Sequence, residues 1–121
     1  MTEKILIVDD DPEIRSTIGE LLEDEGYVVE KAENGADALE ALRKMPASPC
    51  LVLLDLMMPV MNGFDVLREL AADPRLSSVP VVVLSAHSQA SSVAGAKRFL
   101  RKPVTLAQLL GAAADFCAGG R

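Results

Sequence analysis

The chain has 121 residues, the size of one domain, and half of them are hydrophobic, enough to bury a core. Three Phe, one Tyr and no Trp make that core aliphatic and leave no stacking platform for nucleobases, and a net charge of −6 argues against binding nucleic-acid phosphates. The longest apolar runs, 50–54 and 79–84, are far short of a membrane span, and the opening MTEKILIVDD lacks the basic and apolar segments of a signal peptide, so a cytoplasmic location is expected.

KILIV is a continuous apolar run, the pattern of a strand buried on both faces. Asp11 then reads as a helix N-cap with Pro12 at the first helical position. Ile14, Ile18, Leu21 and Leu22 recur at helical spacing, and Gly26 stops that helix. YVVEKA is a second strand. Asn34 caps a second helix carrying Ala38, Leu39, Leu42 and Met45, which ends before Pro46. CLVLL is a third strand, and Pro59 and Gly63 bracket the loop after it. Phe64, Leu67, Leu70 and Ala71 are the expected buried stripe of the next helix.

VPVVVLSA is the fourth strand, after which HSQASSVAGA has no apolar stripe long enough to anchor a regular helix. KRFL reads as a fifth strand. Thr105 with Gln108 forms a capping box for a last helix bearing Leu106, Leu109, Leu110, Ala113 and Phe116. Five strands separated by helices imply an α/β domain with a doubly wound parallel sheet, over residues 1–118, with 119–121 as a frayed tail. Cys50 and Cys117 stand in apolar contexts without metal-ligand spacing. They read as reduced core or surface residues, with an incidental disulfide as the lesser alternative.

In open parallel sheets, functional residues gather beyond the carboxyl ends of the strands. Those ends carry Asp9 and Asp10 after strand one, Asp55 after strand three, Ser85 at strand four and Lys102 after strand five. Taken singly, each has a bland explanation: an Asp pair before a helix is usually a cap, and Lys-Pro is common in loops. Asp55 is harder to dismiss, because an isolated acid ending a buried strand is costly to desolvate. Together they form a carboxylate cluster suited to Mg²⁺, which prefers oxygen ligands, with a lysine opposite to pair with a carboxylate or a phosphoryl group.

Along essentially its whole length the chain resembles the receiver (response-regulator) family, through ILIVDDDP, LVLLDLMMPVMNGFDVL, VPVVVLSAH and FLRKPV. The resemblance implies a flavodoxin-like (βα)5 fold and a two-component signalling role. It makes Asp55 the phosphoacceptor, which takes a phosphoryl group from the phosphohistidine of a histidine kinase or phosphotransfer protein. It makes Asp10, Asp55 and the Met57 carbonyl direct Mg²⁺ ligands, with Asp9 acting through metal-bound water. Lys102 is implied as the partner of the phosphoryl oxygens, and Lys102–Pro103 as a cis peptide. Ser85 is implied as the switch hydroxyl and Phe99 as the aromatic that turns inward with it, altering how a downstream effector protein is bound.

The chain departs from the family pattern in places. Ser85 replaces a more frequent threonine, which keeps the hydroxyl with a looser rotamer preference. Met57 and His87 flank the site at positions that influence phosphoryl lifetime in this family, although the lone His87 itself reads as a solvated loop residue rather than a metal ligand. The segment between Ser85 and Lys102 is shorter than usual by about one helical turn or more, so the fourth helix is expected to be short, displaced or irregular.

Three other readings compete. A degenerate receiver would act as a phosphorylation-independent interaction module. A haloacid-dehalogenase-type phosphatase would need Thr where Glu13 stands, and a flavodoxin-like cofactor binder would not place three acids where its phosphate loop belongs. The length leaves no room for a DNA-binding or catalytic effector, so the chain is read as a stand-alone regulator or one domain of a larger protein.

Overall fold

The computed structural model describes residues 3–58, 60–86 and 95–117. The elements run β1 (Lys4–Val8), α1 (Pro12–Asp24), β2 (Val28–Ala32), α2 (Gly35–Lys44), β3 (Leu51–Asp55), α3 (Gly63–Ala72), β4 (Val81–Ser85), β5 (Arg98–Arg101) and α4 (Leu106–Phe116). The strands form one parallel sheet in the order β2-β1-β3-β4-β5.

Alternate residues of each strand serve the two faces. On one face Leu6, Val8, Val52, Leu54, Val81 and Val83 pack against α2 and α3. On the other, Ile5, Ile7, Leu51, Leu53, Val82 and Leu84 pack against α1 and α4. Burial on both faces is why β1, β3 and β4 read as unbroken apolar runs. β2 lies at the sheet edge with most of its residues exposed or half-buried, and its sequence is correspondingly mixed.

The helix starts follow the capping signals. The Asp11 carboxylate accepts from the Glu13 and Ile14 amides with Pro12 opening α1, Asn34 accepts from Asp37, and Thr105 and Gln108 form a reciprocal capping box. Gly26, at φ 98°, supplies the left-handed residue just beyond α1.

Three expectations are corrected. In α3 the buried stripe is Gly63, Val66, Leu67 and Leu70, whereas Phe64 is 43 % exposed and Ala71 lies in solvent. Asn62 caps this helix, its side chain accepting from the Asp65 amide, and Val66 takes the buried position expected of Phe64. In α4 the buried residues are Leu109, Ala112 and Ala113, with Leu110 and Phe116 half-buried and Leu106 exposed. Phe116 is instead covered by Arg98, whose guanidinium carbon lies 5.2 Å from the ring centroid.

The third correction concerns the cysteines: Cys50 and Cys117 form a disulfide rather than two reduced thiols. Cys50 immediately precedes β3 and Cys117 caps the end of α4, which packs back along the same face. Their Cα atoms are brought to 5.1 Å, within bridging reach.

The described residues carry four helices. The irregular helix expected between the fourth and fifth strands falls on 87–94, outside the described residues, as do Pro59, His87 and the tail 119–121. Among the described residues no helix is long and apolar enough to cross a membrane.

Candidate functional site

The chain passes from β1 outward to β2 and then returns across it to β3, so the carboxyl ends of β1 and β3 flank a topological switch point. Asp9 follows β1 directly and Asp55 is the last residue of β3; both are buried, as is Ser85 at the end of β4. Lys102 follows β5, and its amide donates to the Ser85 carbonyl at 2.9 Å, tying the two strand ends together. The expected site residues therefore meet at one edge. Oxygens of Asp9, Asp10 and Asp55 lie within 4.8 Å of one another.

Asp9 has both carboxylate oxygens engaged. Oδ1 accepts from the Asp11 amide at 2.9 Å and Oδ2 from Lys102 Nζ at 2.9 Å. Lys102 lies closer to Asp9 than to Asp55, whose Oδ2 is 3.6 Å away. The other Asp55 oxygen accepts from the Met57 amide at 3.3 Å. Asp10 is exposed, and among the described residues its carboxylate makes no hydrogen bond.

Burial raises the Asp55 pKa to about 6. The Lys102 charge works against that rise, Asp9 adds to it, the Met57 amide opposes it, and Asp10 adds a little more. For Lys102, burial opposes the charged form, but the hydrogen bond to Asp9 and the charges of Asp55 and Asp9 outweigh it, holding the ammonium above its usual range.

Two glycines set the backbone around this cluster. A Cβ on Gly63 would stand 2.8 Å from the Asp55 carbonyl oxygen and 2.8 Å from the Leu56 Cα, so the start of α3 presses against the strand end that carries Asp55. Gly35 donates its amide to the Met61 carbonyl at 3.1 Å, docking α2 onto the loop after β3. Phe99 is half-buried against the α2–α3 core, opposite Val83 of β4, and the Lys102–Pro103 peptide is cis. The sequence pattern assigns Gly63 only a loop-bracketing part and does not mark Gly35. For Gly63 the available signal was its place just past a strand-end acid, where backbone must approach backbone.

Three carboxylates are hard oxygen donors and fit Mg²⁺, which prefers oxygen ligands. A second acidic group, Glu3 with Cys50 and Cys117, has its sulfurs in the disulfide and offers no comparable set.

The sequence pattern of the response regulator receiver domain matches residues 5–114. The chain belongs to that family. Protein PilH of Pseudomonas aeruginosa is 38 % identical over 112 residues, covering 88 % of this chain and 91 % of PilH. DNA-binding response regulator MtrA of Mycolicibacterium smegmatis is 42 % identical over 108 residues, or 85 % of this chain but 45 % of MtrA. The receiver thus matches most of one relative and under half of the other. Among solved structures, chemotaxis response regulator CheY4 of Vibrio cholerae superposes with a TM-score of 0.86 at 29 % identity, covering 96 % of this chain and 99 % of that one. Receiver domains are signalling modules of two-component systems that bind Mg²⁺ in the acidic pocket, and this receiver has the acids for it.

Proposed function

We propose that this receiver takes a phosphoryl group onto Asp55 from the phosphohistidine of a histidine kinase or phosphotransfer protein, in a Mg²⁺-dependent reaction, and so changes how it binds an effector. The observation that carries the reading is the convergence of Asp9, Asp10 and Asp55 within 4.8 Å, with Lys102 Nζ 2.9 Å from Asp9 and 3.6 Å from Asp55.

An Asp55 oxygen forms the new P–O bond as the donor's P–N bond breaks, and the electron pair stays on the imidazole nitrogen. Asp10, Asp55 and the Met57 carbonyl are assigned as direct metal ligands; Mg²⁺ supplies charge to offset the phosphoryl oxygens. Asp9 is assigned to act through metal-bound water, in keeping with both its oxygens being held by donors of the chain. Lys102 pairs with the phosphoryl oxygens, needing only to turn from Asp9 toward Asp55.

Ser85 and Phe99 are assigned as the switch. Ser85 ends β4, and Phe99 sits on β5 opposite Val83, so a hydroxyl that moves toward the phosphoryl group leaves room for the ring beside it. The receiver catalyses only its own phosphotransfer and dephosphorylation, acts in the cytoplasm, and touches neither nucleic acid nor membrane itself.

Incubation with Mg²⁺ and a small phosphodonor, followed by intact-mass measurement, tests the reading. One added phosphoryl group is expected, absent in Asp55→Asn and without Mg²⁺. Absence of the adduct in the wild-type chain returns the phosphorylation-independent interaction module.

A further inference from the structure

Arg15 is a cation near the start of a helix, at the fourth position of α1, where the helix dipole disfavours positive charge. Its side chain is half-buried and reaches back over the N-cap, and Nη1 donates to the Asp9 carbonyl oxygen at 2.7 Å. That carbonyl belongs to the peptide joining Asp9 to Asp10.

The link matters because of what holds Asp10. Its carboxylate makes no hydrogen bond among the described residues, so its position is set by its own backbone. Among the described residues, three bonds define that backbone. The Asp9 amide donates to Ala32 at 3.2 Å, the Asp11 amide to Asp9 Oδ1 at 2.9 Å, and Arg15 to the Asp9 carbonyl. The first lies on the strand side of the Asp9–Asp10 peptide and the second beyond it. Among the described residues, Arg15 alone holds the peptide itself.

We infer that Arg15 is a positioning residue for the metal centre: by fixing the Asp9–Asp10 peptide it aims the Asp10 carboxylate at the point shared with Asp55. The inference rests on the assignment of Asp10 and Asp55 as Mg²⁺ ligands. Mg²⁺ demands near-ideal octahedral geometry, so a small swing of one carboxylate is felt as lost affinity. Outer partners that orient ligands are worth roughly ten- to a hundred-fold in metal affinity.

The test is calorimetric titration of the full chain with Mg²⁺ alone, without phosphodonor. Arg15→Met, which keeps an apolar stem and loses the donor, is expected to weaken Mg²⁺ binding about ten-fold or more. Arg15→Lys, which keeps a charged donor, is expected to recover a large part of that loss. Should Arg15→Met not fold, Arg15→Gln carries the same expectation. The deficit is expected to persist at high KCl, which screens a distant charge but leaves a hydrogen bond in place. Wild-type affinity in both Arg15→Met and Arg15→Gln, or a deficit that vanishes with salt, overturns the positioning role while leaving the metal assignment standing. No Mg²⁺ binding by the wild-type chain removes the metal centre and the role of Arg15 with it.

Discussion

The two ends of the parallel sheet are built on opposite terms. At the carboxyl ends of the strands the fold buries Asp9, Asp55 and Ser85 and crowds a third acid against them. At the amino ends, Cys50 before β3 and Cys117 after α4 are joined covalently beneath an apolar face. One end holds groups that are costly to bury, while the other is cross-linked. The contrast teaches that a small domain can carry groups that are costly to bury at one end while drawing stability from elsewhere.

Removing the cross-link gives the largest expected change. Cys50→Ser, or reduction, frees a loop of sequence separation 67, and chain entropy sets the loss of unfolding free energy at about 4 kcal/mol. Denaturant titration with and without a dithiol reductant measures it. Phosphorylation of Asp55 should survive in the folded fraction, because the bridge lies at the far end of the strands.

The acidic end should show the reverse dependence. Asp55 has a pKa raised in the fold from 3.8 to about 6, so between those values the folded chain holds a proton that the unfolded chain has released. Stability of the metal-free protein therefore falls as pH rises from about 4 to about 6, by a total on the order of 3 kcal/mol from this group. Asp55→Asn should abolish that slope and leave the metal-free protein more stable at pH 7, as thermal unfolding across this range will reveal. An unchanged slope would mean that another group governs it.

Gly63→Ala sharpens the comparison from within the site. The new methyl meets backbone on two sides, and overpacking of this kind costs about 2 kcal/mol. Since one of those atoms is the Asp55 carbonyl oxygen, phosphorylation by a small donor should slow as well, which separates this variant from a destabilising change remote from the site. The smallest effect is expected at Thr105→Ala. It removes the capping box of α4 for about 1 kcal/mol, readable in denaturant midpoint, with no change in phosphorylation.

Much of this fold can be read from the sequence because local signals and tertiary burial agree. Uniformly apolar β1, β3 and β4 are buried on both faces, and Asp11-Pro12, Asn34 and Thr105 with Gln108 cap the helices that their residue types call for. The convergence of Asp9, Asp55 and Lys102 could be read for a related reason: an acid or lysine closing an otherwise apolar strand has few structural uses. Reading failed where the answer depended on phase or on distance in space. In α3 both Phe64 and Val66 can complete a helical stripe with Leu67 and Leu70, and only packing decides for Val66. Nothing local to Cys50 or Cys117 announces that α4 ends 5.1 Å from the start of β3. Arg15 has a main-chain oxygen as its partner, which leaves no mark in the sequence.

The Cys50–Cys117 bond also gives the chain a topology that the strand order conceals. It is a closed ring, residues 50–117, with an open arm up to residue 49 on one side and a four-residue tail on the other. Asp55, Ser85, Phe99 and Lys102 all belong to the ring, whereas Asp9, Asp10 and Arg15 belong to the arm. A single backbone cut anywhere in the ring leaves Asp55, Ser85 and Lys102 on one covalent molecule. A cut in the arm beyond Arg15 separates them from the two acids at the end of β1.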